Sequence, residues 1–254
     1  MKQVRHVASF SGGKDSTAMV LKLIEEDWPL DEIVFFDTGW EFPQMNDHIG
    51  KFVKYIGRKI TQLHPRESFD HKMCAKPIIR RKKSDPLHGQ VFRYGNGWPS
   101  FARRWCTREK IAVIDQHCGD AVRYVGIAAD EPRRLKLCNY PLVEWNMTEA
   151  DCFEYCYEHG FEWDGLYDHF DRVSCFCCPL KGLDDFRTLR KDFPPLWARM
   201  LTMGDNVSTK LSKRFHHGKT IHDLDTRFAR EDEAEERQGK LDFENGEYPM
   251  RKAK

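Results

Sequence analysis

A short β-prone segment runs directly into a glycine turn near the start of the chain, where residues 4–16 read VRHVASFSGGKDS. Val4 to Phe10 predicts a strand, and the Ser-Gly-Gly-Lys-Asp-Ser turn follows it without a break. From Thr17 to Trp28 the apolar side chains recur every three or four residues, which predicts an amphipathic helix. A strand, a turn and a helix in this order are typical of a parallel α/β sheet.

The following segments continue this alternation. Strands are predicted at residues 33–37, 59–63 and 123–128, and helices at 44–56, 148–160 and 183–203. Thr148 is the expected N-cap of its helix, and Pro194-Pro195 interrupts the last one. We therefore predict an α/β fold, a Rossmann-like parallel sheet with helices on both faces over residues 1–180, followed by a helical C-terminal extension over residues 181–254.

Composition excludes several classes of protein. The 254 residues carry 41 Lys and Arg against 40 Asp and Glu, with a mean hydropathy of −0.68. No segment approaches the roughly 18 apolar residues of a membrane span, and the N-terminal MKQVRHVASF lacks the apolar core of a secretory signal. The chain has nine cysteines, and because this number is odd they cannot all pair in a disulfide framework. We expect a cytoplasmic protein with no membrane partner, and chemistry that uses thiolates stays open.

The turn at residues 11–16 holds the groups that a phosphate site needs. The N–H groups and the positive dipole end of the predicted helix are free there, and Gly12 and Gly13 let the backbone approach a ligand closely. Lys14 adds a cation. The Walker P-loop is excluded because Asp15 stands where that motif needs Ser or Thr. An ordinary glycine turn that caps a helix is the alternative.

Five blocks of the chain carry a resemblance to a known family. SGGKDS after an N-terminal strand resembles the PP-loop of the adenine-nucleotide α-hydrolase superfamily. The second predicted strand ends in FFDTGWEFP (35–43), similar to the DTG-x-x-F segment of the phosphoadenosine-phosphosulfate (PAPS) reductase family and of the small subunit of ATP sulfurylase. RWCTREKI (104–111), GIAADEPRR (126–134) and CFCCP (175–179) resemble later blocks of PAPS-reductase-like proteins, including phage-encoded members and DNA-phosphorothioation ATP pyrophosphatases.

This resemblance implies a HUP-type Rossmann-like fold and an N-type ATP pyrophosphatase. Such an enzyme splits ATP between the α and β phosphates, releases pyrophosphate and adenylylates an acceptor, here in a sulfur-transfer reaction on DNA or tRNA. The sulfur would come from a cysteine desulfurase or another donor. Because the family's sulfonucleotide reductases carry a degraded loop and this loop is intact, we expect ATP chemistry. A PAPS or adenylylsulfate reductase, and a partner-dependent ATP-binding protein like the ATP sulfurylase small subunit, are the alternatives.

The implied site combines the loop with acidic and basic residues after later strands. Its expected ATP- and Mg²⁺-binding residues are Ser11, Gly12, Gly13, Lys14, Asp15, Ser16, Asp37, Thr38, Gly39, Asp130 and Arg134. Among them, the expected catalytic residues are Lys14, Asp15, Ser16 and Asp37. A helix-capping role for Asp37 and a surface ion-pair cluster at residues 130–134 remain alternatives.

The cysteines suggest a metal centre. Cys175 and Cys178 have the C-x-x-C spacing at which two thiolates reach one ion or cluster. Cys106 and Cys74, which lie near the two ends of the basic segment described next, are the expected third and fourth ligands. The resemblance favours a [4Fe–4S] cluster, with tetrahedral Zn²⁺ as the alternative. A redox dithiol and simple packing also stay open.

The near-neutral total charge is unevenly distributed. Residues 72–110 hold eleven Lys and Arg against two acidic residues, and Trp98, Phe101 and Trp105 are interleaved with them. This basic segment would suit a nucleic-acid backbone with unstacked bases, and an anion-binding lid over ATP is an equal alternative. The acidic residues 231–236 predict a solvated helix face or tail.

Overall fold

The computed structural model describes residues 4–136, 138–208 and 213–244. Its strands are β1 (His6–Phe10), β2 (Glu32–Phe36), β3 (Ile60–Leu63), β4 (Pro77–Ile79), β5 (Val91–Tyr94) and β6 (Val122–Val125). Its α-helices are α1 (Lys14–Glu25), α2 (Pro43–Ile56), α3 (Phe69–Cys74), α4 (Trp105–Cys118), α5 (Pro141–Glu144), α6 (Glu149–Glu158), α7 (Leu166–His169), α8 (Leu183–Asp192), α9 (Pro194–Asn206) and α10 (Ile221–Glu244). The described residues form two compact units, one of 4–72 with 101–178 and the other of 73–100 with 179–244.

The first unit is built on a four-stranded parallel sheet with the order β3-β2-β1-β6. The chain steps from β1 outward to β2 and β3, and then returns to β6 on the other side of β1. Parallel crossovers are almost always right-handed, so α1 and α2 lie on one face of the sheet and α4 lies on the other. This arrangement confirms the predicted Rossmann-like α/β sheet with helices on both faces.

The core of this unit comes from continuous apolar runs in β1 and β2, as expected for strands covered on both faces. The helix predicted from Thr17 begins earlier, at Lys14, because Gly13 is extended (φ −76°, ψ 165°) and serves as its N-cap. The strand predicted to end at Ala128 ends at Val125. Thr148 caps α6 as predicted, in a reciprocal capping box with Asp151.

The second unit pairs β4 and β5 as an antiparallel hairpin and packs α8, α9 and α10 around their own aromatic core. Trp98 and Phe186 contact Phe215, with ring centroids 4.7 and 5.0 Å apart. The helix predicted at 183–203 is confirmed as α8 and α9, which meet at Pro194. The acidic residues 231–236 lie in α10 and are mostly exposed, as predicted.

Within the described ranges, no helix combines the length and apolar character needed to cross a membrane.

Candidate functional site

The glycine loop lies at the carboxyl end of β1, where the strand order changes direction between β1 and β6. In open α/β sheets this crevice is where ligands bind. Gly12 has a φ of 80°, a conformation that glycine adopts without strain, and a Cβ there would lie 2.4 Å from the sulfur of Met45. With Lys14 opening α1 directly afterwards, the loop has the strand-turn-helix geometry of a phosphate site.

The two serines of the loop bind each other. The Ser16 hydroxyl donates to the carbonyl of Gly13 at 3.0 Å, accepts the N–H of Ser11 at 3.1 Å and lies 3.0 Å from the Ser11 hydroxyl. Gly126, the first residue after β6, packs against this turn so closely that a Cβ there would lie 2.8 Å from Ser16 Cα. Ser16 therefore braces the loop, while Ser11 is exposed at its rim.

Two aromatic side chains from far downstream hold the loop backbone. Trp163 Nε1 donates to the carbonyl of Gly12 at 2.7 Å, and the Tyr167 hydroxyl accepts the N–H of Lys14 at 2.9 Å. Burial raises the pKa of Tyr167, so its hydroxyl keeps its proton. That proton has no acceptor within hydrogen-bonding distance in the described part of the chain. The Tyr167 hydroxyl can therefore donate to a ligand in the loop.

Lys14 faces a group of three carboxylates. Its Nζ lies 2.6 Å from Asp15 Oδ1 and 3.8 Å from Glu149 Oε1. One oxygen each of Asp15, Glu131 and Glu149 lies within 4.8 Å of the others, and no other such trio of His, Cys, Asp or Glu occurs among residues 4–136, 138–208 and 213–244. Carboxylate oxygens are the ligands that Mg²⁺ prefers. The trio fits that ion, and it includes Asp15 as predicted.

The remaining residues after β6 support this acidic trio. Asp130 Oδ1 accepts the N–H of Glu149 at 3.1 Å and so fixes the start of α6. Arg134 forms an ion pair with Glu131, and Arg172 pairs with both Glu131 and Glu149. Three cations, including Lys14, thus offset the mutual repulsion of three carboxylates. The sequence pointed to Asp130 and Arg134, but Glu149 and Arg172 carry no local motif that could have singled them out.

Asp37 closes the turn after β2. Its Oδ1 accepts the N–H of Gly39 at 2.7 Å, and its Oδ2 accepts Nε2 of Gln62 at 3.0 Å. These bonds make Asp37 part of an Asx-type turn rather than the cap of α2, whose N-cap is Phe42. The carboxylate lies at the same edge of the sheet as the glycine loop, because β1 and β2 are parallel neighbours.

The same turn contacts the C-x-x-C motif. The Thr38 hydroxyl donates to Glu41 Oε1 at 2.6 Å and lies 3.6 Å from the sulfur of Cys175. The N–H of Phe176 donates to the carbonyl of Trp40 at 2.9 Å, which fixes the backbone of the motif. Burial, with the charge of Glu41 nearby, raises the pKa of Cys175 to about 12, so an unliganded thiol there stays protonated.

Three of the four predicted cysteine ligands lie in the first unit. Burial raises the pKa of Cys106, and negative charge on the Cys178 sulfur acts in the same direction. Cys175 interacts with Cys178 in the same way. Cys74 belongs to the second unit, where its sulfur lies 3.9 Å from the carbonyl oxygen of Met203.

The sulfur spacing can be compared with what each suggested metal requires. Tetrahedral zinc needs thiolates about 3.8 Å apart, as Zn–S bonds of about 2.3 Å require. Cys106, Cys175 and Cys178 do not all lie within 4.8 Å of one another, since the acidic trio alone meets that limit among the described residues. An iron–sulfur cluster binds each thiolate through a different iron and so accommodates wider spacing. Three thiolate donors fit either metal centre, and a distance above 4.8 Å between at least two of the sulfurs is compatible with a cluster.

A strand-loop-helix turn at the switch point of a four-stranded parallel sheet defines a Rossmann-like α/β protein. Residues 5–181 match the phosphoadenosine phosphosulfate reductase domain, and the chain belongs to that family.

Relatives of this chain have varied descriptions. It is 27% identical to an adenosine 5′-phosphosulfate reductase of Geobacillus kaustophilus, over 65% of this chain and 69% of that protein. It is 24% identical to an uncharacterized protein of Methanocaldococcus jannaschii, over 84% of this chain and 43% of the relative. A nin region protein of Escherichia phage lambda is 29% identical over 52% of this chain and 50% of its own length. The chain spans less than half the length of the first two archaeal relatives that it matches.

Proposed function

We propose that this chain is an N-type ATP pyrophosphatase that adenylylates an acceptor in a sulfur-transfer reaction, with DNA or tRNA as the acceptor. The observation that carries the proposal is the intact SGGKDS loop at the N-terminus of α1, with Lys14 and the acidic trio beside it. A substrate that is already activated needs no site for leaving pyrophosphate. The intact loop therefore supports ATP as the substrate.

In this mechanism the loop N–H groups, Lys14 and the Tyr167 hydroxyl bind the β and γ phosphates. Asp15, Glu131 and Glu149 would hold Mg²⁺, which supplies charge neutralisation at the phosphate oxygens when bound. An acceptor oxygen attacks the α-phosphorus, the bond from that phosphorus to the bridging oxygen breaks, and pyrophosphate leaves with the electron pair. A sulfur nucleophile from a cysteine desulfurase or another donor then displaces AMP and gives the thiolated product.

The test of the loop is pyrophosphate release from ATP by the purified chain with DNA or tRNA present, because the proposed step needs an acceptor oxygen. Lys14→Ala removes the cation facing the phosphates, and we expect the rate to fall at least a hundredfold. Lys22→Ala is the matched control on the same helix, because Lys22 pairs only with surface groups, at Glu26 and Trp145. Equal rates for wild type and Lys14→Ala would remove the assignment.

We further propose that Cys106, Cys175 and Cys178 hold a [4Fe–4S] cluster. The three sulfurs do not all lie within 4.8 Å of one another, which supports a cluster over a single Zn²⁺. Anaerobically purified protein should be brown and contain about four irons per chain by metal analysis. Cys175→Ser should lose the iron, whereas Cys118→Ser at the end of α4 should keep it. Stoichiometric zinc without iron in the wild type would contradict the cluster.

Adenylylsulfate reduction is the second candidate, and the names of two relatives favour it. It would require sulfite release from adenylylsulfate or PAPS with a thiol reductant such as thioredoxin. A sulfite assay with both sulfonucleotides decides between the candidates. Sulfite release without pyrophosphate release from ATP would replace the first proposal with the second.

A further inference from the structure

The β4-β5 hairpin of the second unit exposes aromatic and aliphatic side chains. Phe92 is 46% exposed and Tyr94 is 53% exposed. Ile79, Leu87 and Val91 add three aliphatic side chains to the same hairpin, each more than 40% exposed. Large apolar side chains that are clustered on one surface element mark an interaction site more often than scattered ones do.

Cations surround these rings. The guanidinium of Arg80 lies 4.8 Å from the centroid of Phe92, and that of Arg93 lies 5.5 Å from it. Residues 77–94 contain five Lys and Arg, with Asp85 as the single acidic residue. Arg81, Lys82 and Lys83 lie in this stretch with exposed side chains. The hairpin is therefore an aromatic surface within a positively charged rim.

Hydrogen bonds give the tip of the hairpin a fixed conformation. The N–H of Arg80 donates to the carbonyl of Gln90, and the N–H of Gly89 donates to the carbonyl of Arg80, each at 3.0 Å. The Asp85 carboxylate accepts from Arg80 at 3.0 Å and from the N–H of Leu87 at 2.9 Å. The exposed rings are thus presented on an ordered element, which reduces the entropy lost when a partner binds.

The sequence pattern pointed to different rings in the basic segment. Trp98 and Trp105 are only 6% and 7% exposed, so these two are core residues that cannot stack with a ligand. Phe101 is 71% exposed and lies 5.5 Å from the guanidinium of Arg104. The accessible aromatic surface of the second unit comes instead from Phe92 and Tyr94.

We infer that this hairpin binds single-stranded nucleic acid. That the bound strand is the acceptor of the reaction rests on the proposed function. Phe92 and Tyr94 are both exposed and lie two residues apart on β5, about 7 Å along the strand, which allows each ring to stack on a separate base. The basic residues of the tip bind the phosphates. A duplex hides the faces of its bases, and a purely acidic partner would gain nothing from the rings.

Fluorescence anisotropy of the full chain with a labelled single-stranded oligonucleotide, and with its duplex, tests the inference. Replacing both rings in Phe92→Leu/Tyr94→Leu keeps apolar, strand-compatible side chains and removes stacking, so affinity should fall at least tenfold. Arg81→Ala/Lys82→Ala/Lys83→Ala should weaken binding and lower the dependence of log affinity on log salt by about 2. Tyr55→Ala, an exposed tyrosine on α2, is the control and should bind as the wild type does.

Three results would overturn the inference: no binding of single strands by the wild type, equal binding of the duplex, or unchanged affinity in the double-leucine variant. Pyrophosphate release from ATP, measured on the same preparations, tests the proposed function separately. A variant that keeps oligonucleotide affinity but raises the KM for ATP would show that the hairpin is a nucleotide lid, and this too would overturn the inference.

Discussion

At the scale of single residues, the Tyr167 hydroxyl binds one N–H group of the glycine loop. Its hydroxyl accepts from Lys14 and retains a proton to donate. We expect Tyr167→Phe to weaken pyrophosphate binding about tenfold or more, since hydrogen bonds to charged groups contribute about 1.5–3 kcal/mol. Isothermal titration calorimetry measures this. Tyr157→Phe is the matched control, because its ring also packs against Phe153. Tighter binding by Tyr167→Phe would mean that the hydroxyl competes with phosphate.

Gly126 lies where the glycine loop packs against the end of β6. A Cβ at this position meets the backbone of Ser16 at 2.8 Å, which cannot move without moving the loop. We expect Gly126→Ala to lower the free energy of unfolding by about 1–3 kcal/mol and to slow pyrophosphate release. Gly50→Ala in the middle of α2 meets nothing within 4 Å and should stabilise the protein by about 0.5–1 kcal/mol. Urea unfolding of both variants checks the contrast, and equal stabilities would contradict it.

Sequence reasoning could find the loop because all its parts are adjacent in the chain and their chemistry is local. Tyr167 and Glu149 could not be found, since each reaches the loop from an element more than 130 residues downstream. No spacing rule connects such distant positions in one sequence. The contact between Thr38 and Cys175 has the same origin: each belongs to a recognisable block, but the fold alone brings the blocks together.

At the scale of elements, α2 anchors the first unit through a buried histidine. His48 lies 3.2 Å from the Thr17 hydroxyl and stacks on Trp163, with centroids 4.6 Å apart. Burial lowers the pKa of His48 to about 4, so it is neutral in the folded protein at pH 7. An unfolded histidine titrates near 6.5, so the unfolded state binds more protons between these values, and stability is lost as pH falls through this window.

The measurable consequence is a pH-dependent free energy of unfolding. From pH 7 to pH 5, His48 should lower that free energy by about 2 kcal/mol. Chemical unfolding of His48→Gln at both values should show a smaller loss than in the wild type, because glutamine carries no titrating group. His64→Gln, at an exposed position after β3, should retain the wild-type loss. An identical loss in all three proteins would show that His48 does not titrate in this range.

The elements with a clear hydrophobic period form as predicted. The elements without one were missed. Helix α4 begins at Trp105 inside the basic segment of residues 72–110, where no helix was predicted. Its hydrophobic face is narrow, with Trp105, Ile114 and Cys118 as its buried residues. Packing against the sheet, rather than local pattern, stabilises such a helix. The hairpin in the same segment was missed for a similar reason, because its strands are three and four residues long.

At the scale of the whole molecule, the boundary between units differs from the end of the family match. The match continues to residue 181 without interruption, yet residues 73–100 group with 179–244 in the second unit. Trp98 packs on Phe215, and the N–H of Gly97 donates to the carbonyl of Met73 at 2.9 Å. The predicted division between residues 180 and 181 places Trp98 and Phe215, which contact each other, in different domains. Hydrogen exchange can show which residues unfold together.

We expect a cavity in the core of one unit to accelerate hydrogen exchange in that unit more than in the other. Phe215→Ala removes the partner of Trp98 and should cost about 3–5 kcal/mol, so exchange at residues 91–100 and 183–192 should accelerate more than at β1. Phe52→Ala removes a ring that stacks on Phe10 at 4.9 Å and should produce the reverse pattern. Hydrogen-exchange mass spectrometry of both full-length variants measures these rates. If each variant accelerates exchange equally everywhere, the two units unfold as one, since a single cooperative transition exposes all amides together.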